Sequence, residues 1–500
     1  ERKVSDKSIS VILEDSVKTN ARYIFSDSSA WHEPMGENVT FTNWSEHDFS
    51  DYIIISHPDL ISEAEKLAQH RSSYGLKPTV ISTEAIYDSF NFGNIDPTAI
   101  EKFLRFAYFD WPKPPSYVLL MGDDTWDHRN ILGGGFPAIV PSLYYQSRGR
   151  GLAPSDYLYS LLDGDDLLPD LSIGRIAASN KQEAKIATNK IITYDETTSI
   201  ESWKNRALYV ANFHPKNIFS SHSDSLINKY VNPENLQAIK IYNPDEAPLP
   251  NATGKTFIDE FNQGALLVNF NGHGSPGTMQ SLFTLSLPEW GYLSQIKNAN
   301  KLPLILALSC LNGLFSNPVV EGLAETFVNL EGGGAIAYIS ASAKSYVAQN
   351  NLLSDSFYKT LLKTEDVPWG HALNQAKAEV LANHPSWIDV VLTMQLVGDP
   401  AQSLARPKKS NYVVENIYSE KDTLRSLNTT KLTAELTNFG RAETDSIKIY
   451  WILQNKQSGL ADTLKTEKIG SFSGERTVYF LWSVQNRIGQ YEIEVQLKQD

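Results

Sequence analysis

ALLVNFNGHGS, residues 265–275, and LPLILALSCLNG, residues 302–313, decide the fold. Each starts as an apolar run of strand length and ends in small, polar and glycine residues. An apolar run without polar alternation reads as a strand buried on both faces, the mark of a parallel sheet covered by helices. Working outward, the same texture recurs in DYIIIS (51–56), LKPTVIST (76–83), SYVLLMGD (116–123), LSIGR (171–175), RALYVAN (206–212), AIKIY (238–242) and GAIAYISAS (334–342). Helical stretches separate these runs. One begins near Asp59 and stops at Gly75, where a left-handed cap is expected. Another opens with Asp96 as N-cap and Pro97 in its first turn. Further helices are expected within VEGLAETFVNL (320–330), over 355–362 and 371–382, and as a crossover near 287–299.

After GDPAQSLARP (398–407) the pattern changes to period-two alternation, as in KLTAELTNFG (431–440), DSIKIYWILQ (445–454) and YEIEVQLKQ (491–499). Polar turns separate these segments and helix cues are lacking, which predicts an immunoglobulin-like β-sandwich over 408–500. Residues 51–407 form the α/β body, readable as subdomains 51–200 and 201–407, and residues 1–50 read as a β-rich segment.

Composition narrows the function. With 44 basic and 58 acidic residues the net charge is −14, which disfavours nucleic acid or anionic lipid as partner. The longest apolar run, residues 302–308, is far short of the ~20 needed to span a bilayer. A single cysteine, Cys310, excludes an internal disulfide and a multi-thiolate zinc site.

Reactive groups in an open parallel sheet gather beyond the carboxyl ends of its strands. His273 follows the strand at 265–270 and Cys310 follows the strand at 302–309, so both stand at that mouth. A cysteine of ordinary pKa ~8.5 is mostly protonated near neutrality, and a neighbouring imidazole can take its proton and leave a nucleophilic thiolate. Gly272 and Gly274 permit close backbone approach, and the N–H groups of Gly274 and Cys310 can form an oxyanion hole. Taken singly, a lone cysteine after a strand is ordinarily a small buried hydrophobe, and a histidine between glycines fits a tight turn. Their joint placement at two strand ends favours chemistry.

NGHGS (271–275), LALSCLNG (306–313), EGGGAIAYISAS (331–342) and LVGDPAQSL (396–404) together resemble the gingipain family of cysteine peptidases, whose architecture is related to that of caspases. The resemblance extends through residues 64–90, 96–104, 117–127 and 155–176 and covers about 51–407. It implies a caspase-like α/β/α sandwich in which Cys310 is the nucleophile, His273 the general base, and a thioester acyl-enzyme the intermediate of peptide-bond cleavage. It further implies that Asp170, just before the IGR strand motif, orients the histidine, with Asp156 in SDYLYS as another acidic candidate. One branch of the family is a sortase of the type IX secretion system, so transpeptidation of C-terminal signals is the alternative reading. A catalytically silent scaffold with the same fold is a third. The expected setting is secreted, periplasmic or surface-bound on a bacterium, with protein or peptide substrates and secretion-system or cell-surface partners.

No cofactor is required for this chemistry. Structural calcium is an expectation for Asp123, Asp124, Asp163, Asp165 and Asp166, although DGDD (163–166) lacks the spacing of a regular calcium loop. ATGKT (252–256) lacks the first glycine of a phosphate loop. By topology, the loop after 334–342 borders the cleft, which makes Lys344 and Tyr346 the substrate-binding candidates.

Overall fold

The computed structural model describes residues 2–5, 8–11, 42–44, 49–127, 131–133, 139–149, 151–285, 292–421, 423–425, 428–442, 446–485 and 487–499. The chain divides into a unit Glu1–Phe41 and a unit Thr42–Asp500. In the first, β1 (Arg2–Ser5) and β2 (Ser8–Val11) pair antiparallel. Of the β-rich reading of residues 1–50, the described residues 42–44 and 49–50 carry no strand, and the remainder lies outside the described residues.

The second unit opens with β3 (Tyr52–Ser56), α1 (Ile61–Ser73), β4 (Pro78–Ser82), α2 (Thr83–Asn91), α3 (Pro97–Asp110) and β5 (Tyr117–Met121). The hairpin β6 (Tyr144–Ser147) and β7 (Gly151–Pro154) follows, then β8 (Ser172–Ile176), α4 (Lys181–Glu196), β9 (Arg206–Ala211), α5 (Ile218–Leu226), β10 (Gln237–Tyr242), α6 (Ala252–Asn262) and β11 (Leu267–Asn271). A small meander β12 (Gly274–Ser275), β13 (Thr278–Met279) and β14 (Phe283–Thr284) leads to β15 (Leu304–Leu308), α7 (Leu323–Asn329), β16 (Ala337–Ala341), α8 (Val347–Lys363), α9 (Trp369–Asn383), α10 (Ile388–Thr393) and β17 (Met394–Val397).

Ten strands make one sheet in the order β10-β9-β11-β15-β16-β17-β8-β5-β3-β4. β9, β10, β11, β15 and β16 run parallel, as do β3, β4, β5 and β8. β17 pairs antiparallel with β16 and meets β8 through a single bridge, Val397 to Arg175. β3, β8, β11, β15 and β16 are buried along their whole length, as expected for strands covered on both faces. The expected start signals hold: Asp96 caps α3 by accepting from the Thr98 N–H at 2.8 Å, with Pro97 behind it. Gly75 has φ +86°, the left-handed conformation that ends α1.

One expectation changes. Among the described residues the crossover from β11 to β15 shows the meander and a 3-10 turn at Leu293–Gln295, with no α-helix over 292–299; the start of the helix expected near 287–299 lies outside the described residues. The long segment between β5 and β8 contains the β6–β7 hairpin and a 3-10 turn at Asp156–Ser160.

Beyond residue 408 come β18 (Tyr412–Ser419), β19 (Thr429–Asn438), β20 (Ile447–Asn455), β21 (Ala461–Ile469), β22 (Gly474–Ser483) and β23 (Tyr491–Gln499). They form two antiparallel three-stranded sheets, β18-β19-β22 and β21-β20-β23. Leu432, Ala434, Leu436, Ile449, Trp451, Val478 and Val495 are buried between them, so the two layers share one core.

Candidate active site

Parallel pairing of β11 with β15 sets Asn271 opposite Leu308, so His273 and Cys310 each lie two residues beyond neighbouring strand ends. The loops they start are pressed together. A Cβ added at Gly274 would stand 2.8 Å from the Cys310 carbonyl oxygen and 2.8 Å from Asn312 Nδ2. Only glycine fits at that approach. The Cys310 turn is equally tight: Leu311 takes φ +65°, a left-handed conformation costly for a branched side chain, and its N–H donates to Ala343 O at 3.0 Å. Gly313 donates to Ala341 O at 3.1 Å, and a Cβ there would run into Ser340 O.

Cys310 is half-buried, and its sulfur faces the loop after β16. The Ser345 N–H donates to Sγ at 3.4 Å, and Sγ–H donates to Ser345 O at 3.7 Å. Lys344 and Tyr346, both exposed, therefore flank the residue that touches the thiol. The imidazole of His273 is exposed and meets Phe219 edge to face at 5.3 Å. Among the described residues neither ring nitrogen of His273 has a hydrogen-bond partner, and the Cys310 N–H has no acceptor. The loops carrying the thiol and the imidazole are in contact, and among the described residues no hydrogen bond joins Cys310 to His273.

Two asparagines that residue pattern did not single out hold the site. Asn212, directly after β9, accepts from the His273 N–H at 2.8 Å and donates to Gln280 O at 2.5 Å, replacing one rung between β12 and β13. Asn312 accepts from Ser309 Oγ at 2.5 Å and donates to Ser275 O at 2.6 Å and Thr278 O at 3.0 Å. It ties the cysteine loop to the histidine loop. The available signal was repetition: β9, β10 and β11 each end at or just before an asparagine, Asn212, Asn243 and Asn271.

Asp170 is not part of this cluster. It precedes β8, whereas Asp123 and Asp124 follow β5, which runs parallel to β8, so Asp170 lies at the opposite edge. The Asp123 edge is the one shared with Cys310, since the Trp126 N–H donates to Ser316 O at 3.1 Å. Asp170 Oδ2 instead accepts from the N–H groups of Leu162 at 2.7 Å and Asp163 at 2.8 Å, closing a turn. Asp156 is a structural partner as well. It accepts two bonds from the buried Arg175, at 2.7 and 2.8 Å, and one from Ser142 Oγ at 2.7 Å.

The five aspartates proposed for calcium are divided in the same way. Asp123 and Asp124 are buried behind the active-site edge, and Asp163, Asp165 and Asp166 are exposed on the turn that Asp170 closes. Among the described residues no group of three or more histidine, cysteine or acidic side chains is arranged to hold a metal ion. The set does not fit one calcium. Asp123 has another property: burial pushes its carboxyl up to about 7, against hydrogen bonds from the Asp124 N–H and Ser179 that favour ionisation. The buried Glu325, raised by burial and by Asp123, lies on α7 just beyond the cysteine loop.

No helix among the described residues is long and apolar enough to cross a membrane.

Comparison with known proteins bears on the fold and the family. The family model Peptidase family C25 matches residues 46–405. Gingipain R2 of Porphyromonas gingivalis is 26% identical over 317 residues, which are 61% of this chain and 38% of that protein. Gingipain R1 of the same species is 28% identical over 259 residues, 50% of this chain and 23% of that protein. The chain therefore spans well under half of the curated relatives it matches. Among solved structures, the Arg specific cysteine proteinase gingipain R superposes with a TM-score of 0.61 at 21% identity, covering 91% of this chain and 99% of that one. The RgpB pro- and mature-domain complex of Porphyromonas gingivalis gives 0.60 at 22% identity, covering 89% and 99%. These likenesses establish the fold, and the extent of the family match establishes kinship: the chain belongs to Peptidase family C25, a family of cysteine peptidases.

Proposed function

We propose that the chain is a cysteine endopeptidase in which Cys310 attacks the scissile carbonyl and His273 serves as base and then acid. The observation that carries this reading is the contact of Gly274 with the Cys310 carbonyl, which joins the two loops at adjacent strand ends. Imidazole takes the thiol proton as sulfur bonds to the carbonyl carbon. The oxyanion so formed is met by the Cys310 N–H, with the Gly274 N–H as second donor. Collapse expels the amine, which receives the proton from His273, and leaves a thioester. Water, deprotonated by the same imidazole, then releases the acid. Lys344 and Tyr346 border the substrate. Protein or peptide substrates, an extracytoplasmic bacterial setting and any secretion-system partner belong to the same proposal, supported by kinship with gingipains.

Cys310→Ala is expected to abolish cleavage of any peptide the native chain cuts, with melting temperature unchanged. Retained turnover contradicts the nucleophile assignment. The product mass identifies the acceptor: a free carboxylate means water, a joined adduct means transfer to an amine or sugar.

A further inference from the structure

The β6–β7 hairpin comes to the active-site rim from more than 150 residues upstream of Cys310. Its base is fixed to the C-terminal end of β16 and to α10: Ser342 Oγ donates to Pro154 O at 2.7 Å, and Ser155 Oγ donates to Leu392 O at 2.6 Å. Its tip is fixed by Asp389 of α10, which accepts from Tyr145 OH at 2.9 Å and from the Arg148 N–H at 3.4 Å. Gly149 then lies against Lys344. A Cβ at Gly149 would stand 2.8 Å from Lys344 Cβ and 3.1 Å from its Cδ, so the lysine stem crosses the hairpin where only glycine leaves room. Lys344 is followed directly by Ser345, whose N–H meets the Cys310 sulfur at 3.4 Å.

This brings the backbone next to Arg148 against the stem of Lys344, so the two residues share one stretch of rim beside the loop that touches the thiol. Both are exposed. Among the described residues neither the guanidinium nor the ammonium has an ion-pair or hydrogen-bond partner. Asp389, the carboxylate at the hairpin tip among the described residues, is buried and already holds Tyr145 OH and the Arg148 N–H. In a chain with 58 acidic and 44 basic residues, two adjacent cations without partners go against the average charge. Exposed like charges repel, and among the described residues no carboxylate pairs with either cation. We propose that Arg148 and Lys344 together receive an acidic side chain of the substrate, so that the enzyme prefers peptides with Asp or Glu at the residue supplying the scissile carbonyl. The inference rests on the peptidase reading and adds the substrate class.

The test is a set of fluorogenic peptides that differ only at that residue, carrying Asp, Glu, Asn, Gln, Leu, Arg or Lys, assayed with the full chain. The Glu peptide is expected to exceed its Gln isostere roughly fivefold to tenfold in kcat/KM, chiefly through KM, with the gap shrinking as salt screens the charges. Lys344→Met keeps the stem over Gly149 and removes the charge; it should close most of that gap at unchanged melting temperature. Lys344→Glu should move the preference toward Lys and Arg. Cleavage that depends on Cys310 but favours Gln, Leu or Arg peptides overturns the inference and leaves the peptidase reading standing. If no peptide is cleaved and matching acyloxymethyl ketone peptides leave Cys310 unlabelled, the peptidase reading falls and the inference with it.

Discussion

The two edges of the central sheet are built from similar residue types and reach opposite chemical states. At the edge reached by the ends of α1 and α4, Arg71 donates to Asp399 at 2.7 Å and to Asp195 at 2.7 Å. Asp195 also meets His70 Nε2 at 2.9 Å and accepts from Gln402 at 3.0 Å. Charge there is largely buried and paired, Arg71 meeting two carboxylates. At the edge carrying Cys310, the imidazole of His273 and the cations of Arg148 and Lys344 have no hydrogen-bond or ion-pair partner among the described residues. Saturated polar groups hold a fold; polar groups held in place by their backbones and left open are available to a substrate.

Breaking the saturated edge should cost the most stability. Asp399→Ala leaves the buried Arg71 with one of its two carboxylates, so unfolding free energy should drop by about 3–5 kcal/mol. Chemical denaturation measures this, and activity per folded molecule should hold. A loss of turnover larger than the loss of folded protein would mean that the two edges are coupled.

Breaking the open edge should do the reverse. Asn312→Ala removes the tie between the cysteine and histidine loops, and kcat/KM should fall roughly 100-fold, since misplacing a reacting group by about 1 Å has that effect. The stability loss, about 1–3 kcal/mol for a buried polar tie, should be the smaller of the two effects on the folded enzyme's performance.

Asp123 lies between these extremes. Its folded carboxyl titrates near 7 and its ordinary value is 3.8, so the folded state holds a proton that the unfolded chain has released. Stability from this group is complete below about pH 4 and is lost as pH rises toward 7. Asp123→Asn should raise the melting temperature relative to wild type at pH 8 and much less at pH 4, as pH-resolved thermal scans would reveal. An equal shift at both values would contradict the assignment.

Asp170→Asn should have the smallest effect. It weakens two backbone bonds in a turn, for about 1 kcal/mol, and leaves kcat and its pH profile unaltered. A hundredfold loss of kcat would restore Asp170 as a partner of His273.

Much of this arrangement was legible in the residues. Unbroken apolar runs marked the buried strands, and the rule that sites lie beyond strand ends singled out His273, Cys310 and the Lys344 loop, because those depend only on strand direction. Asp170 was carried over from a family position, and strand direction argues against it: it precedes its strand where His273 and Cys310 follow theirs. Asn312, through its side-chain amide, and Ser345, through its backbone, meet partners that come close only after folding, so spacing gave no sign of them. The Arg148 contribution was hidden for a similar reason, since a hairpin between β5 and β8 reads as polar loop until its tip is seen against Lys344. The β17 strand escaped notice because four residues after a short helix carry too little pattern.

The central claim is that Cys310 is a nucleophile activated by His273. The most direct measurement is mass mapping of the chain after exposure to a library of peptide acyloxymethyl ketones, for the native protein and for His273→Ala. The account predicts one thioether adduct, at Cys310, formed far more slowly in the histidine variant. Labelling at equal rate in both, or none in either with peptides of every side-chain class, would contradict it.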